Sequence, residues 1–226
     1  MPKSGTTSLA AMFAPVARTR HEYAMGEAAR VRVAQARGEV SVDEARGWLL
    51  ERDARCNAEI DSTSFLWTWA EDLPDVFPRA RFIATMREPH AWCRSLAGML
   101  LQMGDVPGEH LVWGGLIDEA EHGPRPLDEP ERFAGAALGY WRASLARILC
   151  LPADRTWWCR TDRLTDRAGE LAEWIGVDGA LLDPRPANTA RVTSEEVTRA
   201  LSDDVVESQI TGADRSLWRE ASARGS

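Results

Sequence analysis

Residues 81–95 read RFIATMREPHAWCRS. The β-branched, aromatic and apolar residues from Arg81 to Met86 predict a strand, and Arg87 and Glu88 form the turn that closes it. Pro89 suits the first turn of the next helix, where its missing N–H has no partner to lose, and that helix is expected to reach Met103. Two helical turns separate Pro89 from Ser95, which lets Arg87 and Ser95 close on one phosphate. The plainer reading of the same residues is a strand-to-helix turn with Arg87 in a surface ion pair.

The alternation continues in both directions. Val16 to His21 and Thr156 to Arg160 have the composition of strands, while Thr6 to Phe13, Val42 to Asn57, Glu131 to Cys150 and Asp166 to Ile175 have helical periodicity. Ser41 and Glu44 form a capping box, and Thr193 with Glu196 repeats it ahead of a polar C-terminal helical stretch. Phe133, Ala137, Trp141, Leu145, Ile148 and Leu149 recur at three- and four-residue spacing, which places them on one buried face. Gly104 to Pro130 reads as a long surface loop or lid. Strands separated by helices predict an α/β fold, with a central parallel sheet and helices on both faces, in a single domain spanning residues 1–226. Ligands of such sheets sit beyond the C-terminal ends of the strands.

A chain of 226 residues, 44% apolar and 27% charged, carries one sizeable core and excludes disorder. With 35 acidic and 27 basic residues the net charge is −8, so general attraction to nucleic acid or an anionic membrane is not expected. No apolar run is long enough to cross a membrane. Cys56, Cys93, Cys150 and Cys159 lack zinc-site or disulfide-framework spacing, and a reducing, cytoplasmic setting fits best. SLAAMFAPVA, after the first turn, imitates a signal peptide only in part, because its n-region is short and split by Gly-Thr-Thr. All the basic residues are arginine except one, Lys3.

That lysine stands in MPKSGTTSL, a turn that runs straight into an apolar-periodic helix. Successive backbone N–H groups and a helix N-terminus converge there, Gly5 permits close approach, and Lys3, Thr6, Thr7 and Ser8 add a charge and hydroxyls: an anion cradle. The nucleoside-triphosphate version of this device, G-x-x-x-x-G-K-[ST], places its lysine after the last glycine, so a Walker-type ATPase is disfavoured. Taken alone, Ser4-Gly5-Thr6-Thr7 is equally a simple helix cap with Lys3 solvated.

Together the two motifs resemble those of the sulfotransferases that use 3′-phosphoadenosine 5′-phosphosulfate (PAPS). The resemblance implies a P-loop NTPase-like three-layer sandwich. Lys3, Ser4, Gly5, Thr6, Thr7 and Ser8 are then the 5′-phosphosulfate loop, and Arg87 and Ser95 the 3′-phosphate motif, with Glu88 where many relatives carry Asn. The likeness extends loosely to TWWCRTDRLTDRAGELAEWIGV. Arg185 and Arg191, flanking Asn188 and Thr189, stand where family members often add basic contacts to the nucleotide, although the usual Arg-Lys-Gly string is absent.

Sulfuryl transfer needs in-line placement, charge stabilisation on the leaving phosphate and a base for the acceptor hydroxyl or amine. Lys3 and the loop amides are expected to neutralise the departing 5′-phosphate. His21 and Glu22, at the end of a predicted strand, are the candidates for the base: the carbohydrate and bacterial branches use a glutamate there, which favours Glu22, and the branch acting on small phenols and alcohols uses a histidine. Asp61 and Ser62 either border the acceptor pocket or cap the helix carrying Phe65, Leu66 and Trp69, the cap being preferred for Ser62. Trp67, Trp69, Trp157 and Trp158 are expected mostly in the core, with one or two near the mouth. No metal is implied. The acceptor is expected to be a small molecule or a carbohydrate, the net charge arguing against a sulfated polysaccharide; oligomeric state is not readable.

An anion loop of this kind normally follows a buried strand, and only Met1 and Pro2 precede Lys3, so the first strand is expected to be missing. Either the functional protein begins upstream or the nucleotide site is compromised. The competing readings are a small-molecule kinase with a P-loop-like fold and a truncated nucleotide-binding protein without activity.

Overall fold

The computed structural model describes residues 5–103, 126–184 and 195–225. Lys3, Ser4, Arg185, Arg191, Thr193 and most of the expected loop from Gly104 to Pro130 lie outside them.

The described residues hold four short strands: β1 (Thr19–His21), β2 (Ile60–Ser62), β3 (Phe82–Met86) and β4 (Thr156–Arg160). They form two separate two-stranded parallel sheets where one central sheet was expected. β1 pairs with β2 in the register Thr19↔Ile60 to His21↔Ser62, and β3 pairs with β4 from Phe82↔Thr156 to Met86↔Arg160. The helices between and after them are α1 (Thr6–Phe13), α2 (Met25–Ala36), α3 (Val42–Cys56), α4 (Leu73–Val76), α5 (Pro89–Met103), α6 (Pro130–Ile148), α7 (Ala168–Ile175), α8 (Glu195–Ala200), α9 (Asp203–Gln209) and α10 (Gly212–Arg224), with a 3-10 turn at Ser64–Trp69.

Alternation along β3 and β4 sends their side chains into two different cores. Ala84, Met86 and Trp158 pack against α5 and α6 through Trp92, Leu96, Trp141 and Leu145. Trp157 and Cys159 face α1 and α7 through Leu9, Phe13 and Leu171, with Ile60 and Ile83 packed against that cluster. A third cluster joins α2, α3 and the 3-10 turn through Ala29, Leu49, Phe65 and Trp69.

The strand expected from Val16 starts only at Thr19, because the amides of Val16 and Ala17 turn back to the Phe13 carbonyl at 3.0 Å each. The Ser41 capping box forms as read, while Ser62 ends β2 instead of capping and Thr63 occupies the N-cap of the 3-10 turn. No helix among the described residues is long and apolar enough to cross a membrane.

Candidate functional site

α1 starts at Gly5, whose φ of 90° lies in the left-handed region. A Cβ at Gly5 would lie 3.1 Å from Thr161 Cγ2, so both conformation and close approach require glycine. Among the described residues no side chain caps α1 and no acid occupies its first turn, so nothing there offsets the positive end of the helix dipole.

The turn is fastened at the C-terminal ends of both sheets. Ser62 Oγ, at the end of β2, donates to the Thr6 carbonyl at 2.7 Å. Thr161, just past β4, donates from Oγ1 to the Met86 carbonyl at the end of β3, 2.8 Å away, while its methyl abuts Gly5.

His21 ends β1. Its Nδ1 lies 3.0 Å from the Ser62 carbonyl, which only accepts, so Nδ1 carries a proton; in the neutral ring Nε2 then accepts from the Thr7 hydroxyl, also 3.0 Å away. Glu22 follows with φ 52°, a left-handed turn that swings its carboxylate onto the Ser64 amide, at 3.2 and 3.3 Å from the two oxygens. His21 Nε2 and Glu22 Oε1 are 3.9 Å apart. His21 thus links Thr7, in the first turn of α1, to Glu22.

Arg87 sits half-buried between β3 and α5, its carbonyl accepting from Trp141 Nε1 at 3.0 Å. The expected alternative, a surface ion pair, does not form among the described residues. Neighbouring Glu88 instead accepts from the His90 and Ala91 amides at 3.1 and 2.9 Å, an acid spent on the start of α5. Asp162 is held by Arg160 at 3.0 and 2.6 Å. Burial lowers the pKa of the Arg87 guanidinium, with Asp162 opposing, yet an arginine stays charged, and this one has its donors available to an incoming oxyanion. Ser95 lies buried two turns along α5, and no hydrogen bond joins it to Arg87.

Asp61 caps no helix; with Ser62 it lines a cavity of about 410 Å³ that also meets Ile83 and Thr85 of β3. Its carboxylate pairs with Arg52, which is 2% exposed and also donates to the Tyr23 carbonyl at 2.7 Å and to Thr63 Oγ1 at 2.8 Å. This buried network fixes the β1 and β2 ends that carry His21 and Ser62. The sequence does carry its signal: Ala45, Leu49, Arg52 and Cys56 share the buried face of α3. Thr161 lay in a stretch already quoted, but nothing local marked it. Trp67, Trp69, Trp157 and Trp158 are all buried, as expected.

The fold and these contacts define an α/β protein in which a glycine-led helix start lies beside an imidazole and a carboxylate. Residues 1–124, more than half of the chain, match the family model of the sulfotransferase domain, and the chain belongs to that family, whose general activity is sulfuryl transfer. No curated protein and no solved structure matches it.

Proposed function

We propose that the protein moves a sulfuryl group from PAPS to a hydroxyl or amine of a small-molecule or carbohydrate acceptor by in-line displacement, in a cytoplasmic setting. The observation that carries this reading is the junction of Gly5, Thr161 and Met86, which couples the uncapped start of α1 to the strand end preceding Arg87. Two anion-binding elements joined through one threonine suit a ligand with phosphate groups at both ends.

In this reading Gly5, Thr6, Thr7 and Ser8, with Lys3 and Ser4, hold the 5′-phosphosulfate; Arg87 and Ser95, with Arg191, hold the 3′-phosphate. Bound PAPS supplies the sulfuryl group and the leaving phosphate. Glu22 takes the acceptor proton, and His21, oriented by Ser62, steadies Thr7 and the carboxylate beside it. The β1–β2 and β3–β4 pairs are read as halves of one P-loop-like sheet in a three-layer sandwich, and the residues 1–226 as one domain.

Calorimetry with 3′-phosphoadenosine 5′-phosphate (PAP) tests the reading. Tight binding is expected, weakened about ten-fold or more in Lys3→Ala and in Arg87→Ala through loss of charge-assisted contacts. ATP binding with no PAP binding would instead favour a kinase, and binding of neither overturns the assignment.

A further inference from the structure

A cavity of about 360 Å³ opens between α2, the 3-10 turn and α6, lined by Arg32, Trp67, Thr68, Gly139, Tyr140 and Arg147. We propose that it holds the acceptor, and that the acceptor carries an oxyanion, a carboxylate or a phosphate ester, gripped between Arg32 and Arg147. This deepens the sulfotransferase reading and rests on it.

The two guanidiniums are held in place by neutral groups alone. Arg147 Nη1 donates to the Thr68 carbonyl at 2.6 Å, and Arg32 Nη1 donates to Gln35 Oε1 at 2.6 Å. Gln35 is itself anchored by Trp69 Nε1 at 3.2 Å. Among the described residues neither arginine has an ion-pair partner, whereas Arg46 meets Asp72, Arg142 meets Asp214 and Arg160 meets Asp162. Burial lowers the pKa of Arg32, the charge of Arg147 lowers it further, and Asp72 and Glu71 oppose. Two like charges sharing a partly desolvated cavity are unfavourable until an anion lies between them, and the planar forks have donors left to grip one.

The remaining wall is rigid and aromatic. Tyr140 stacks on Trp92 at 5.8 Å and meets Trp67 edge to face at 5.2 Å, and Trp67 Nε1 donates to the Tyr140 hydroxyl at 3.0 Å. The cavity is linked to Glu22 through the 3-10 turn. Glu22 binds the Ser64 amide at the start of the 3-10 turn whose Trp67 and Thr68 line the cavity, and its charge adds to burial in raising the Tyr140 pKa. In this proposal the acceptor's anion rests on the arginines and its hydroxyl points along the 3-10 turn toward Glu22. The volume lies in the range of small-molecule sites.

Tryptophan-fluorescence titration of the full chain tests this with 4-hydroxyphenylacetate, its neutral isostere 4-hydroxyphenylacetamide, and phenyl phosphate. At least one anionic probe is expected to bind about ten-fold tighter than the amide, and Arg32→Gln or Arg147→Gln to abolish that preference while leaving amide and PAP affinity unchanged. Whether carboxylate or phosphate is preferred names the source of the anion. Equal binding of anions and amide by the wild type, or equal weakening of both in the variants, overturns the proposal. PAP binding without anion preference fails this inference alone, while absence of PAP binding fails the sulfotransferase reading.

Discussion

Glu22 and His21 are adjacent in sequence but differently tethered, and the tethers separate their roles. Both ring nitrogens of His21 have partners, the Ser62 carbonyl and the Thr7 hydroxyl, so the ring is fixed as a link between β2 and the cradle. Among the described residues Glu22 accepts only from the Ser64 amide, which leaves carboxylate lone pairs for an acceptor proton. Gln at position 22 keeps an oxygen for that amide while removing the base. Glu22→Gln is therefore expected to lower kcat by about 10² to 10⁴ with KM for PAPS nearly unchanged. The larger loss in His21→Gln, with Glu22→Gln within about ten-fold of wild type, would move the base to the histidine. Both residues were legible because a strand end placed them; Arg52 was not, because a charge on a helix is ordinarily read as solvated, and only its partners Asp61, Thr63 and Tyr23 from other segments explain its burial.

At the scale of elements, the C-terminal helix α10 is locked by one carboxylate. Asp214 is 1% exposed, closes a capping box with Thr211, and takes two bonds from Arg142 of α6 at 2.5 and 2.9 Å. Burial by itself raises its pKa, but the Arg142 and Thr211 bonds outweigh it and hold the carboxyl below its ordinary 3.8. A folded-state pKa below the unfolded one means the stabilisation is present above the ordinary value and lost as pH falls through the folded one. Asp214→Asn is expected to cost about 2 kcal/mol near neutrality, lowering Tm by roughly 4–8 °C, with the gap to wild type narrowing under acid. A pH-independent gap in thermal melts would assign the loss to packing instead. The sequence betrayed Thr6–Phe13, Pro89–Met103 and Thr156–Arg160 at their observed bounds, because apolar periodicity and turn residues agree there. It did not betray α2, which follows Ala24 in a left-handed conformation without a side-chain cap and buries only Ala28 and Ala29. β2 was equally obscure, since three residues carry no alternation that could be counted.

At the scale of the whole molecule, the two sheets leave a gap of definite shape. β2 pairs only with β1 and β3 only with β4, so the edges of β2 and β3 are unpaired among the described strands. A cavity of about 410 Å³ is lined by both of these edges, Ile60 and Ser62 on one side and Ile83 and Thr85 on the other. Leu9 and Trp174 of α1 and α7, and Trp67 and Ile148 of the 3-10 turn and α6, supply apolar walls to the same cavity. Unpaired edges, apolar walls and parallel neighbours are the requirements of one more parallel strand. Ser62 and Met86, at the C-terminal ends of β2 and β3, lie where the first turn of α1 is fastened, so a strand in the gap would deliver the chain directly to Gly5. An apolar extension of five to seven residues fused ahead of Met1, about the length of an ordinary strand, is expected to raise Tm by about 5 °C or more, since each apolar side chain it buries contributes roughly 1.5–3 kcal/mol before ordering costs. The same extension should tighten PAP binding, because a paired strand holds the cradle in place. An extension of equal length with Asp at alternate positions is the control, and it should do neither, since those carboxylates would face one apolar wall of the gap. Equal melting temperatures for the two extended chains would show that the gap does not take a strand, and would leave α1 held only by Ser62, Thr161 and the packing of its apolar face.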